Sequence, residues 1–155
     1  MLEPSHDQIE LFVDAIFRHA EGGFISLRSF AEGSNNVFRT TSFRTIGNNL
    51  KFLCDAAVDD ARRAAQFPKP VVFCPPLATF SNDKTATEKD VAEGLTVTVE
   101  CDEHPDAARA KLEAILGPAT TVIRSGGVWS DGNGGTEDKL HLHGDWPPRR
   151  GGKTI

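Results

Sequence analysis

The sequence predicts an α+β (α/β) fold in which helices pack on a mixed β-sheet. Amphipathic segments with helical spacing alternate with short β-prone runs along the chain. Residues 95–102 alternate apolar and polar side chains, as a half-buried strand does. With 155 residues, of which 39% are hydrophobic, the chain is long enough for one domain, which we place at residues 1–143.

Composition narrows the functional classes. The net charge of −5 argues against a polybasic nucleic-acid coat, but not against an enzyme that meets nucleic acid through bound metal ions. Three scattered cysteines do not form a disulfide framework, and their odd number favours a reducing compartment. The sequence has neither a signal-peptide pattern at its start nor a long apolar run, so we expect a cytoplasmic protein with no membrane partner.

The N-terminal half predicts a helix, a hairpin and a second helix. Ser5 followed by Gln8 is a capping-box pattern, and we expect the helix it opens to end at the Gly22-Gly23 pair. Two β-prone runs, 24–30 and 36–46, predict a hairpin with its turn at 33–36. The second helix is predicted at 48–66, with Leu50, Leu53, Cys54, Ala57, Val58 and Ala61 inward and Asp59, Asp60, Arg62 and Arg63 mostly outward.

The C-terminal half predicts strands around a third helix. That helix opens at Pro105, with Leu112, Ile115 and Leu116 facing the core. Strands are predicted at 71–74, 95–102, 120–124 and 139–143, and loops at 81–94 and 125–138, the first with one helical turn. The segment 144–155 has no periodicity and predicts a disordered tail.

Two acidic side chains share one face of the strand at 95–102. Glu100 and Asp102 lie two residues apart, about 6.6 Å along a strand, so their carboxylates can converge on one hard cation. Leu95, Val97, Val99 and Cys101 would face the core. A solvated strand edge with two exposed acids is the alternative interpretation.

Basic side chains share one face of the strand at 139–143. Lys139, His141 and His143 alternate with two leucines, and a row of this kind can hold a triphosphate or a metal-bound oxygen. The segment Ser125-Gly126-Gly127 could bind phosphate through backbone amides, although it is also ordinary turn chemistry.

A zinc site is a rival interpretation. Cys101, His104, His141 and His143 offer four possible ligands. The alternation works against it, because Cys101 is predicted to face the core and the two later histidines the polar side.

Taken in order, these segments resemble the RepB-like DNA primase domains of bacterial plasmids and phages, in the archaeo-eukaryotic primase superfamily. The resemblance runs through VVFCPPLATF, GLTVTVECDEHP, TTVIRSGGVW and KLHLH, and covers residues 8–143. The acids at 100 and 102 match the first motif of the family, and His141 matches the motif histidine.

The resemblance implies a primase-like catalytic fold and a nucleotidyltransferase that acts in DNA replication. Glu100 and Asp102 would bind Mg²⁺ or Mn²⁺, and His141 would join them as a catalytic residue. Ser125, Gly126, Gly127, Lys139 and His143 would bind the nucleotide. The implied partners are a single-stranded DNA template, nucleoside triphosphates and a replicative helicase. Arg124 or Arg28 could meet the template backbone.

The chain departs from the family pattern after His143. The third family motif is an acid on a later strand, and the one acid here is Asp145. We therefore expect a truncated form with weak or no activity, with residues 144–155 read out of frame. The alternative functions are a non-catalytic relative that binds nucleic acid or a replication partner, and a metal-dependent nuclease.

Overall fold

The computed structural model describes residues 3–31, 37–45, 49–67, 71–74 and 76–144. Within these ranges the chain forms three α-helices and eight β-strands, which confirms an α+β fold. The contacts divide the chain into two compact units, at residues 1–95 and 96–155.

The first unit is built on a five-stranded antiparallel sheet. Strand β1 pairs with β2 on one side and with β3 and β4 on the other, and β4 pairs in turn with β5. The elements are α1 (His6–Phe17), β1 (Phe24–Ala31), β2 (Val37–Arg44), α2 (Asn49–Ala64), β3 (Val71–Cys74), β4 (Ala78–Phe80) and β5 (Val91–Gly94), with a 3-10 turn at Glu88–Asp90.

Helices α1 and α2 carry the core of this unit. The Ser5 side chain accepts a hydrogen bond from the Gln8 amide, so the predicted helix start is confirmed. The buried side chains come from both helices and from β1: Val13, Ile16, Phe17, Ile25, Leu27, Leu53, Cys54 and Ala57.

Asp60 corrects the predicted outer face of α2. Its side chain is only 3% exposed, accepts a hydrogen bond from Ser29 Oγ at 3.2 Å, and pairs with Arg39 Nη1 at 3.1 Å. A buried carboxylate is tolerated when it is paired and hydrogen-bonded, and here β1 and β2 supply both partners. The helical spacing could not reveal them, because they come from other strands.

The second unit is a three-stranded antiparallel sheet with one helix. Its elements are β6 (Val97–Cys101), α3 (Pro105–Leu116), β7 (Thr121–Ser130) and β8 (Thr136–Gly144), and the strand order is β6-β8-β7. Both outer strands run antiparallel to β8, so β6 and β7 point the same way with the last strand between them. This arrangement is a split βαβ unit.

One face of this sheet is buried against α3. Cys101, Leu140 and Leu142 are buried, and Val99, Ala108, Leu112, Ala119 and Val122 pack around them. Pro105 occupies the first turn of α3, as predicted. The predicted core face of that helix is only partly correct, because Ile115 is 58% exposed and Leu116 39% exposed.

Several predicted elements differ from the structure. A single mixed sheet is wrong, because every strand pair among the described residues is antiparallel and the strands form two sheets. The strand expected at 95–102 is shorter, since β6 begins at Val97, whose side chain is 55% exposed. Leu95 instead packs on the core of the first unit.

The loops predicted at 81–94 and 125–138 contain strands. The first includes β5, which pairs with the unpredicted β4, and the second is largely the β7–β8 hairpin. Gly144, predicted to begin the tail, is the last residue of β8 and pairs with Val97. The turn predicted at 33–36 and residues 145–155 lie outside the described residues. No helix in the described ranges is both long and apolar enough to cross a membrane.

Candidate functional site

The site lies on the face of the three-stranded sheet opposite Leu140 and Leu142. Strand register sets Glu100 of β6 directly opposite His141 of β8, and Thr98 opposite His143. Directly opposed side chains in an antiparallel pair lie about 5 Å apart at Cβ. The structure thus brings together the acid and the histidine that the sequence singled out.

Asp102 follows the end of β6 and extends this row. Its Oδ1 lies 3.4 Å from the Nζ of Lys139, two residues before His141 on β8. The side chain of Asp102 is 53% exposed and that of Lys139 is 33% exposed, so solvent screens the pair. The candidate site is therefore Glu100 on β6 and Asp102 just after it, set against Lys139 and His141 on β8.

Gly127 makes room for the lysine. A Cβ at this position would lie 2.9 Å from Cδ of Lys139, so the aliphatic stem passes over the glycine backbone. Ser125 Oγ donates a hydrogen bond to the Lys139 carbonyl oxygen at 3.3 Å. The Ser125-Gly126-Gly127 segment thus contacts the residue that pairs with Asp102.

That segment is a bulge within a strand and not the turn-rich loop that the sequence predicts. The β7–β8 register shifts between Arg124 and Val128, and Gly126 adopts a φ of 85°. A left-handed residue in a bulge is a position that glycine occupies at little cost. Its use as a phosphate-binding segment stays a prediction.

His143 is the buried member of the row. It is 5% exposed, and its Nδ1 lies 3.0 Å from Thr98 Oγ1, within hydrogen-bond distance. Burial lowers the pKa of His143 below its ordinary value, and the neighbouring His141 lowers it further. His143 is consequently held neutral near pH 7, and Thr98 orients its ring.

The donors on this face suit one hard divalent ion. Glu100 and Asp102 supply carboxylate oxygens of the kind that Mg²⁺ and Mn²⁺ prefer, and an open face leaves room for water or phosphate oxygens. Among the described residues, no three histidine, cysteine or acidic side chains converge as a set that could hold an ion. Phosphate oxygens from a bound nucleotide would have to complete the coordination.

The remaining candidates lie elsewhere. Cys101 is buried on the opposite face of β6, with Leu140 and Leu142, which separates it from the histidines of the zinc interpretation. Arg124 pairs with Asp138 at 3.3 Å, and Asp138 shares its side of β8 with the buried leucines. Arg28 belongs to the first unit and donates to the Ala86 carbonyl oxygen.

Sequence reasoning missed the contacts that support this sheet. Thr98 lies two residues before Glu100 on β6, and its hydroxyl is within hydrogen-bond distance of His143. The rings of His104 and Trp129 lie 4.1 Å apart, and Glu137 accepts a hydrogen bond from the Asp106 amide at the start of α3. Carboxylates favour helix N-termini, so an acid such as Glu137 is a suitable partner for the start of α3. The pairing cannot be predicted from the sequence, because Glu137 lies 31 residues after Asp106.

Comparisons of the chain with protein-family models, with curated proteins and with solved structures return no match. The resemblance to primase domains stays a prediction, and the site is interpreted from its own geometry.

Proposed function

We propose that the second unit is a primase-type nucleotidyltransferase site that binds a nucleoside triphosphate with one divalent ion, and that its turnover is weak. The observation that carries the proposal is the register of β6 and β8, which sets Glu100 opposite His141 with the Asp102–Lys139 pair beside them. Two carboxylates beside a lysine ammonium and a histidine imidazole suit a ligand that combines a cation with phosphates.

Each side chain has a distinct role in the proposal. Glu100 and Asp102 hold the ion, and Lys139 and His141 contact the phosphate oxygens of the nucleotide. Lys139 must turn from Asp102 toward a phosphate, which its flexible stem and partial exposure permit. Mg²⁺ or Mn²⁺ bound there supplies neutralisation of phosphate charge and activation of an attacking hydroxyl. Single-stranded DNA is the proposed template.

Weak turnover follows from the donor set. Two-metal phosphoryl chemistry needs ligands for both ions, and among the described residues no three acidic, histidine or cysteine side chains converge to hold one. Loss of one catalytic ion removes several kcal/mol of transition-state stabilisation, and about 1.4 kcal/mol is a tenfold change in rate.

A non-catalytic nucleotide-binding or nucleic-acid-binding relative is the second candidate. The observation that favours it is the Lys139 ammonium, which already pairs with Asp102 at 3.4 Å. An internal cation in this place competes with a metal ion for the same carboxylate.

Metal titration tests the proposed site directly. Binding of Mn²⁺ is measured by the loss of the electron-paramagnetic-resonance signal of the free ion. We expect Mn²⁺ to bind more tightly when a nucleoside triphosphate is present. Glu100→Gln and Asp102→Asn should each weaken that binding by about tenfold or more, because each removes one of two carboxylate ligands. Glu103→Gln is the matched control, since Glu103 is an exposed acid next to Asp102 in the turn after β6.

Primer synthesis on a single-stranded template separates the two candidates. Weak extension that Asp102→Asn abolishes supports the enzyme, whereas metal-dependent nucleotide binding with no extension supports the non-catalytic relative. Equal Mn²⁺ binding by the wild-type chain and both carboxylate variants would contradict the site itself.

A further inference from the structure

Two phenylalanine rings of the first unit are stacked in solvent. The rings of Phe38, on β2, and Phe67, just after α2, are 6.0 Å apart at their centroids and 3° from parallel. Phe38 is 55% exposed and Phe67 is 53% exposed, so neither ring belongs to the core. Val37, beside them on β2, is 45% exposed.

A strand bulge accounts for the position of Phe38. In the β1–β2 register Ser29 opposes Arg39 and Phe30 opposes Val37, which leaves Phe38 as the extra residue of the bulge. Bulges redirect side chains and recur at sheet edges and beside functional sites. Among the described strands β2 is an edge strand of the sheet, and the irregularity turns an aromatic ring toward Phe67 at the end of α2.

The charge around the end of α2 is partly basic. Arg62 and Arg63 occupy its last turn, and Arg63 precedes Phe67 by four residues. Both arginine side chains are exposed, but Arg62 pairs with Glu3 at 3.4 Å and with Asp59 at 3.8 Å, so Arg63 carries the basic character of this end of the helix. Aromatic rings beside arginines are the combination with which proteins hold single-stranded nucleic acid, because bases stack on the rings and phosphates meet the guanidinium groups.

We propose that Phe38 and Phe67 form a stacking platform for a base of a single-stranded nucleic acid. The choice of ligand rests on the proposed function, which needs a single-stranded template. A second copy of this chain is the competing occupant, since exposed edge strands invite pairing. The bulge opposes that pairing, because it interrupts the regular row of backbone groups along β2.

Oligonucleotide binding tests the platform. The probe is a fluorescein-labelled oligothymidine of about 12 nucleotides, a length suited to one small binding module. It is titrated with the full chain in EDTA and without nucleoside triphosphate. Phe38→Leu and Phe67→Leu keep an apolar side chain and remove the ring. Each should weaken binding by roughly 5- to 150-fold, the range that corresponds to stacking of one base.

Phe52→Leu is the matched control, because Phe52 lies on α2 and its side chain is similarly exposed, at 59%. We expect it to bind like the wild-type chain. A second probe carries 2-aminopurine in place of one thymine, and stacking on a ring quenches its fluorescence. Quenching by the wild-type chain should decrease in the Phe38 and Phe67 variants and stay unchanged in the Phe52 variant.

Three results would overturn the platform. The first is no binding by the wild-type chain, and the second is binding by all three variants that equals that of the wild-type chain. The third is a wild-type dimer that Phe38→Leu dissociates without any change in oligonucleotide affinity. Since EDTA removes the ion that Glu100 and Asp102 would hold, failure of primer synthesis leaves this measurement unaffected. Conversely, primer synthesis that persists while the ring variants bind normally rejects the platform and keeps the proposed function.

Discussion

His143 is a buried titratable group on the candidate face, and its environment makes stability depend on pH. The unfolded chain takes up a proton at this histidine near its ordinary pKa of 6.5, whereas burial holds the folded pKa lower. As the pH falls below the ordinary value of 6.5, the unfolded state binds more protons at this histidine than the folded state does. The free energy of unfolding therefore decreases. Above about pH 7 both states are neutral at this group and the contribution disappears.

Thermal unfolding measured between about pH 7.5 and pH 5 checks this prediction. We expect the melting temperature to fall toward the acid end, and His143→Gln to flatten that part of the curve. His19→Gln serves as the control, because His19 is exposed in the first unit. An unchanged slope in the His143 variant would assign the acid loss of stability to other groups.

The connection between α1 and β1 shows how a glycine can be required by an element boundary. Gly23 has a φ of 87°, and a Cβ there would lie 2.7 Å from the Phe80 carbonyl oxygen on β4. Gly23→Ala therefore combines left-handed strain with a backbone clash, and we expect it to lower the free energy of unfolding by about 2–4 kcal/mol.

The adjacent glycine provides the comparison. A Cβ on Gly22 would meet nothing within 4 Å. Gly22→Ala should therefore change stability by about 0.5 kcal/mol or less, as surface substitutions generally do. Denaturant unfolding of the two variants measures the difference, and similar losses in both would show that the contact with β4 does not matter.

At the scale of the whole molecule, the two units have cores of different size. Among the residues that the structure describes, eight buried side chains form the first core and three form the second. Fewer buried apolar contacts mean a lower free energy of local opening. We expect amides in β8 to exchange with solvent about tenfold faster than amides in β1, although both strands have neighbours on each side.

Native-state hydrogen exchange resolved by peptide tests this difference. Leu142→Ala should accelerate exchange in β6, β7 and β8, because Leu142 is fully buried at the centre of the second core. Leu27→Ala, at an equally buried position in the first core, is the control for the effect of a cavity as such. Equal protection of β1 and β8 in the wild-type chain would contradict the prediction.

The sequence predictions that the structure confirms rest on local patterns. The cap at Ser5 gave the start of α1, and the alternation through His141 gave the two faces of β8. The predictions that are wrong concern features that depend on contacts between distant parts of the chain. The partners of Asp60 come from two strands, β1 and β2. The regular alternation from Leu95 onward does not indicate that Leu95 belongs to the first unit and that β6 begins only at Val97. The register that sets Glu100 opposite His141 was likewise not encoded in either strand alone.

The placement of β8 between β6 and β7 has a consequence for the order of assembly during synthesis. Since β6 and β7 pair with β8 and not with each other, neither has its sheet partner when the ribosome has made the chain only as far as the β7–β8 turn. Until β8 emerges, Val99 and Val122 lie on strands that have no partner, and Leu112 of α3 has no sheet to pack against. The nascent second unit then exposes these apolar side chains, whereas the β1–β2 hairpin can form soon after its own residues leave the ribosome.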